Sequence, residues 1–251
     1  MTTKKKIKNV TRRLFRFFSS PTDVLNSWIT EPGKYERMVD FLNWFDSTSS
    51  VEETLSQAQR DWDLRITNFR DFDSLSKECC LEIGFGGGRL MVPASQFFTR
   101  VIGIDVHLSF KKAREFLRLQ NIENFQLKRR NELQAIESQS VDFIWSFIVF
   151  QHFDSFNEVM FYLSQIKRVL RPNGYCHIFF GKYSGAGIRV VRPQEFNKRE
   201  CSLFIDPTFF YQNLRKMGFR LIEHEEMMPK RLNLPLSQVN ESGQARVLFR
   251  K

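Results

Sequence analysis

Leu81-Glu82-Ile83-Gly84-Phe85-Gly86-Gly87-Gly88-Arg89 begins as a strand-like apolar run and breaks into a glycine-rich turn. The residues after it, to about 98, have helical spacing. Glycines let a backbone turn tightly and let a ligand approach where a Cβ would stand. The helix that follows offers unsatisfied N–H groups at its start. Asp105 closes the next apolar run, Val101-Ile-Gly-Ile-Asp105, 17 residues beyond Gly88. An acid placed there can take both hydroxyls of a ribose. A nicotinamide dinucleotide would use the same arrangement. Its fingerprint, however, wants the third glycine at position 89, which is Arg89. Here the glycines fall at 84, 86 and 88, with Glu82 two residues before the first.

Outward from this turn, strands and helices alternate. Strands are predicted at 79–83, 100–105, 124–129, 141–148 and 174–180, with helices at 88–98, 109–120 and 155–170. Near-continuous apolar strands alternating with helices mean a parallel sheet covered on both faces. Residues 181–205 break the rhythm: the stretch is polar, contains glycine, and is too long for an ordinary connection. Asp206-Pro207 then reads as an N-cap with proline at the first helical position, and Gly218 ends that helix. Strands at 219–227 and 244–250 close the chain. In front of the sheet, residues 22–30, 34–45 and 51–69 read as helices, the third opened by a capping box from Ser50 to Glu53. This helical front lacks a core of its own. The expected division is a helical cap over 1–75 and an α/β domain over 76–251, with 181–205 inserted as a lid.

The 251 residues suit one large domain, and 42% apolar with 26% charged residues is ordinary for a globular chain. Phenylalanine is not ordinary: there are 27 of them, and most must be core. The net charge of +10 is concentrated at one end. Residues 1–18 carry seven cations and no acid, leaving 31 basic against 28 acidic residues elsewhere. The total therefore does not imply a basic groove at a site. Residues 4–18 form an amphipathic basic segment, read either as a terminal helix packed on the domain or as a contact with anionic membrane. The start is read as lacking a secretory signal, because its one apolar cluster is short and broken by Arg16. The four cysteines show no CxxC and no zinc spacing, so a reduced, cytoplasmic compartment and no metal are expected.

Taken together, these segments resemble the class I S-adenosylmethionine-dependent methyltransferases, in particular their small-molecule branch. Glu82-x-Gly84-x-Gly86-x-Gly88 matches the family's first motif and Asp105 its second. Asn131 follows the third strand, Val141-Asp142-Phe-Ile-Trp-Ser146 matches the fourth motif, and Leu170-Arg-Pro-Asn-Gly174 matches the turn before the fifth strand. The resemblance implies a Rossmann-like α/β fold, a seven-stranded mostly parallel sheet with the last strand antiparallel, here under a helical N-terminal cap. It implies S-adenosyl-L-methionine as cofactor. Gly84, Gly86 and Gly88 would pass beneath its methionine and ribose, and Glu82 would hold the loop or reach the amino group. Asp105 would bind the ribose, Val106 would flank the adenine, and Asn131 would accept from the adenine amino group. Ser146 belongs to the strand beneath the cofactor. Trp62 and Arg65 resemble a Trp-x-x-Arg found before the core in some members. Arg65 would then meet the cofactor carboxylate, or else be a surface charge.

For catalysis, a hydroxyl acceptor must lose a proton, and a neutral imidazole suits that task. His152, just past the fourth strand, is the candidate base; the other reading is a helix cap or backbone contact. His107 reads as an adenine-side or surface residue, and His177 and His224 as structural. No Asn/Asp-Pro-Pro-Tyr and no Pro-Cys follows the fourth strand, so a nucleic-acid base is not the expected acceptor. A small-molecule, glycan or lipid-linked acceptor is expected at an oxygen or nitrogen. Tyr183, Arg189, Arg192 and Glu195 of the lid are candidates to meet it, and each is equally readable as loop polarity. RNA methylation through the basic terminal segment and a non-catalytic binding module are the alternatives.

Overall fold

In the computed structural model, residues 22–183, 189–191, 203–226 and 242–251 are described. Helices α1 (Thr22–Thr30), α2 (Met38–Asp46) and α3 (Val51–Asp61) form the front. The last runs into a π-helical turn, Trp62–Ile66. Ser50 Oγ accepts from Glu53 N–H at 3.1 Å, but the Glu53 carboxylate returns to Ser49 N–H at 2.7 Å. The expected capping box is thus displaced outward by one residue. The basic segment 4–18 lies outside the described residues.

Then come β1 (Cys79–Ile83), α4 (Met91–Phe97), β2 (Arg100–Asp105), α5 (Phe110–Leu119), β3 (Phe125–Arg129) and β4 (Val141–Ser146). They are followed by α6 (Phe156–Val169), β5 (Leu170–Tyr183), β6 (Val190–Val191), β7 (Phe204–Ile205), α7 (Pro207–Lys216), β8 (Arg220–Glu226) and β9 (Ser242–Arg250). Strands β3-β2-β1-β4-β5 pair in parallel, and β9 pairs antiparallel with both β5 and β8. That is the expected Rossmann-like sheet. Two short strands exceed the expected seven: β6 and β7 form a small hairpin from the 181–205 stretch, joined to the end of β5 at Lys182. Helix α4 starts at Met91 rather than 88, because Gly88 takes φ +93° and cannot be helical.

The two faces of the sheet are buried separately. Along β1, β4 and β5, residues such as Leu81, Ile144 and Ile178 join α6 and α7 on one face. Cys80, Phe143, Trp145, Tyr175 and Phe179 point the other way, onto α4, α5 and the front. On this second face Trp62, Phe69 and Phe72 of the front pack directly on Trp145 and Phe143 of the sheet. Phenylalanines fill both faces, and several of them meet here. Phe69, Phe72, Phe98 and Phe143 form a run of ring contacts at 5.6–6.3 Å between centroids. Such pairs add about 0.5–1.5 kcal/mol each beyond their buried area. Buried His177 adds a polar tie: its Nδ1 lies 3.0 Å from the Ile66 carbonyl, fixing β5 to the front. Burial pushes its pKa down to about 4, so it is neutral. Among the described residues, no helix is long and apolar enough to cross a membrane.

Candidate active site

A cavity opens at the carboxyl ends of β1, β2 and β4, where open α/β sheets bind ligands. Its volume is about 190 Å³. The floor is the glycine turn. Gly84 and Gly86 take φ +82° and +53°, and Gly84 N–H donates to the Ile104 carbonyl at 2.7 Å. Val149 packs on Gly84 so closely that a Cβ there would lie 2.2 Å from its Cγ2. Phe45 of α2 packs on Gly86 in the same way, 3.0 Å from where a Cβ would stand.

The turn is held by the last residue of β2 and by one just past it. Asp105 Oδ2 accepts from Gly86 N–H at 2.8 Å, and its Oδ1 accepts from Val106 N–H at 2.6 Å. His107 is 1% exposed, and its Nε2 lies 2.9 Å from the Gly86 carbonyl. Its placement departs from the adenine-side or surface position expected of it.

Glu82 also lines the cavity, and burial pushes its carboxyl up to about 8. Arg89 is nearly buried; its Nε bonds Asp46 Oδ1 at 2.6 Å and its Nη2 bonds Asp61 Oδ2 at 2.8 Å. This network ties the end of α2 and the end of α3 to the glycine turn. Burial raises the Asp46 carboxyl to about 6, the Arg89 charge opposing.

The opposite wall is mostly apolar and aromatic: Trp28, Phe147, Val149, Phe153 and Tyr162. His152 completes it, its ring 4.7 Å from that of Trp28. Its Nε2 lies 3.3 Å from Gln151 Nε2, and Gln151 Oε1 accepts from Gln244 at 3.0 Å. Glu158 lines the cavity as well; burial raises its pKa, and it pairs with Arg130 at 2.9 Å. Among the described residues no cluster of His, Cys, Asp and Glu could hold a metal ion.

Glu82, Gly84, Gly86, Asp105, Val106 and His152 are thus brought to one cavity. Asn131 lines an adjoining cleft that shares Asp105 and Val106 with it. Three expected residues are placed elsewhere. Gly88 faces Leu117 of α5. Ser146 is fully buried and donates to the Ile83 carbonyl at 2.9 Å, bracing β4 on β1. Arg65 pairs with Asp61 at 3.3 Å and lies over Phe147 without lining the cavity. Of the lid candidates, Tyr183 is buried and Arg189 lies over Phe209, neither lining the cavity; Arg192 and Glu195 lie outside the described residues. Asp46, Arg89, Glu158 and Tyr162 were missed. Arg89 stood in the sequence only as a departure from a glycine pattern, and Glu158 as the third residue of a helix start.

Residues 81–178 match the family model described as a methyltransferase domain. No curated protein matches the chain by sequence. Solved structures share the fold. A SAM-dependent methyltransferase from Leishmania major superposes with a TM-score of 0.58 at 13% identity, over 92% of this chain and 82% of that one. The cyclase SpnF gives 0.58 at 13% identity, over 80% and 81%. An arsenic(III) S-adenosylmethionine methyltransferase from Chlamydomonas reinhardtii gives 0.53 at 21% identity, over 70% and 64%. The domain match lies over the strands that build the cavity, so this part of the chain is similar to a methyltransferase domain, and the solved structures share its fold.

Proposed function

We propose that the protein transfers a methyl group from S-adenosylmethionine to an oxygen or nitrogen of a small-molecule, glycan or lipid-linked acceptor. The observation that carries this is Asp105 at the end of β2, its carboxylate bonded to Gly86 N–H in a glycine turn that lines the same cavity. A fold shared with a cyclase does not fix the reaction, so the site must. Asp105 would hold the ribose hydroxyls, with Val106 and Asn131 beside the adenine. The cofactor, once bound, supplies an activated methyl on sulfur.

The rest falls to this chain's side chains. The acceptor's oxygen or nitrogen would bond the methyl carbon as the sulfur–methyl bond breaks, its electron pair staying on sulfur. His152 would take the acceptor's proton. The aromatic wall of Trp28, Phe147, Phe153 and Tyr162 favours an acceptor with an apolar body and excludes water from the reaction. A cytoplasmic location, with membrane contact through residues 4–18, would suit a lipid-linked acceptor.

Calorimetric titration with S-adenosylhomocysteine, on the wild type and on Asp105→Asn, tests the cofactor half. Binding that weakens at least tenfold in the variant is expected, from the loss of charge-assisted hydrogen bonds worth about 1.5–3 kcal/mol. A folded wild type that binds nothing would reject the reading. Radiolabelled methyl transfer across small-molecule, glycan and lipid pools then identifies the acceptor. Flotation with anionic vesicles, with and without Lys4–Arg16, tests the membrane contact.

A further inference from the structure

Gln151, just past β4, is a polar side chain sunk to 5% exposure beside His152. Burying an amide is unfavourable unless its groups are bonded. Its backbone carbonyl accepts from Leu203 N–H at 2.9 Å, just before β7. Gly181 of β5 lies so close that a Cβ there would stand 3.3 Å from the Gln151 Cβ. The side chain is held in one direction. Gln244 of β9 donates to Oε1 at 3.0 Å, which turns the amide nitrogen toward His152, 3.3 Å from its Nε2. An amide nitrogen can only donate, so Nε2 of the neutral ring accepts and the ring proton sits on Nδ1. His107 is held the other way round: Ser109 N–H donates to its Nδ1, which leaves the proton on Nε2. One histidine holding the glycine turn and one lining the cavity are thus set in opposite tautomers.

We propose that Gln151 is the positioning residue of His152: braced by Gln244, it fixes the orientation of the ring and keeps the lone pair on Nε2. This rests on the reading of His152 as the base. The lone pair that takes the acceptor's proton is then the one Gln151 holds. At 3.3 Å the contact is long for a hydrogen bond, enough to orient the ring and weak enough for the acceptor's O–H or N–H to displace. As that bond breaks its hydrogen leaves as a proton, and the Nε2 electron pair forms the new N–H bond. Nε2 is then a donor, and the Gln151 amide meets it by turning Oε1 to the ring and its nitrogen to the oxygen of Gln244. A neutral amide, with a donor at one end and an acceptor at the other, can serve both protonation states of the ring. A carboxylate serves one and an apolar group neither. The assignment carries the site back to Gln244 of β9, which stands outside the cavity lining.

Nitrogen NMR of the full chain, isotope-labelled at histidine and held above the ordinary histidine titration range, reads which ring nitrogen carries the proton. In the wild type the proton of His152 should be on Nδ1, as in His177, whose Nδ1 faces the Ile66 carbonyl, and unlike His107. Gln151→Glu, whose carboxylate can only accept, should move it to Nε2. Gln151→Met, of similar shape and without a donor, should leave a mixture of the two tautomers. Gln244→Met should loosen the ring in the same direction and carries the test if the Gln151 variants do not fold. Unchanged His107 and His177 signals identify a folded variant. With an acceptor in hand, Gln151→Met should lower kcat by part of the roughly 10²–10⁴-fold that a positioned base supplies and leave KM nearly unchanged. A wild-type proton on Nε2 of His152 overturns the proposal, and so does a tautomer that stays on Nδ1 in folded Gln151→Met. Full turnover in His152→Ala rejects the base reading instead, a result on which the tautomer measurement does not depend.

Discussion

His107 Nε2 lies 2.9 Å from the carbonyl oxygen of Gly86. The backbone N–H of Ser109 donates to Nδ1 of the same ring at 3.0 Å, so Nδ1 is the acceptor and Nε2 carries the proton. Gly86 is therefore gripped at both ends of its peptide, its carbonyl by His107 and its N–H by Asp105. His107→Ala removes one grip inside a packed site. It should cost about 1–3 kcal/mol in urea denaturation and weaken S-adenosylhomocysteine binding. His107→Gln, which can still donate to the carbonyl, should recover part of both. Equal stability and affinity in all three proteins would show that the contact positions nothing.

Glu82 predicts a pH dependence whose sign is fixed. Its folded pKa, about 8, lies above the ordinary 4.5, so the folded apo protein holds a proton that the unfolded chain releases. Stability from this group is full at acid pH and lost as pH rises from about 4.5 through 8. Glu82→Gln should thus stabilise the apo protein at pH 8 by about 1–3 kcal/mol and do little at pH 5. An arriving ammonium favours the ionised carboxyl, so binding at pH 7 should release protons. Calorimetry in buffers of different ionisation enthalpy reads this directly, and Glu82→Gln should abolish it.

Gly84 should tolerate no side chain. Its φ of +82° is unfavourable for alanine, and the new methyl would meet Val149 at 2.2 Å. Gly84→Ala should destabilise by about 2–4 kcal/mol. Adding Val149→Ala should return only the steric part of that loss, a coupling that a double-mutant cycle measures. Strictly additive effects would mean that Val149 does not occupy this space in solution.

His152 predicts a kinetic split. With an acceptor in hand, His152→Ala should lower kcat by about 10²–10⁴-fold and leave S-adenosylhomocysteine affinity within a few-fold. A variant of full activity would leave His152 as a residue that packs on Trp28 rather than a base.

The sheet was legible because each strand carries its own signal. Strands β1 and β2 lie where the apolar runs and the closing Asp105 put them. Glycine spacing located the cavity floor for the same reason, since a turn is local. What escaped is what depends on distant partners. Arg89 meets Asp46 across 43 positions, and nothing near either residue announces the pair. His107 reads as a residue beside adenine until its ring is seen reaching back to Gly86. Arg65 had two readings, a cofactor contact or a surface charge, and its short motif did not show that the carboxylate within reach is Asp61, one helical turn away. The hairpin β6–β7 was hidden because two-residue strands have no periodicity to read.

The aromatic seam between the front and the sheet limits how this protein can be re-engineered. Trp62, Phe69 and Phe72 share one hydrophobic core with Phe143 and Trp145, and His177 reaches across to Ile66. Cutting at residue 76 would open that core to water, so the remainder is expected to aggregate rather than fold. Trading the front for a relative's segment would treat it as an interchangeable part. Here the part has no clean edge: a graft would have to bring its half of the seam and its own answer to Arg89.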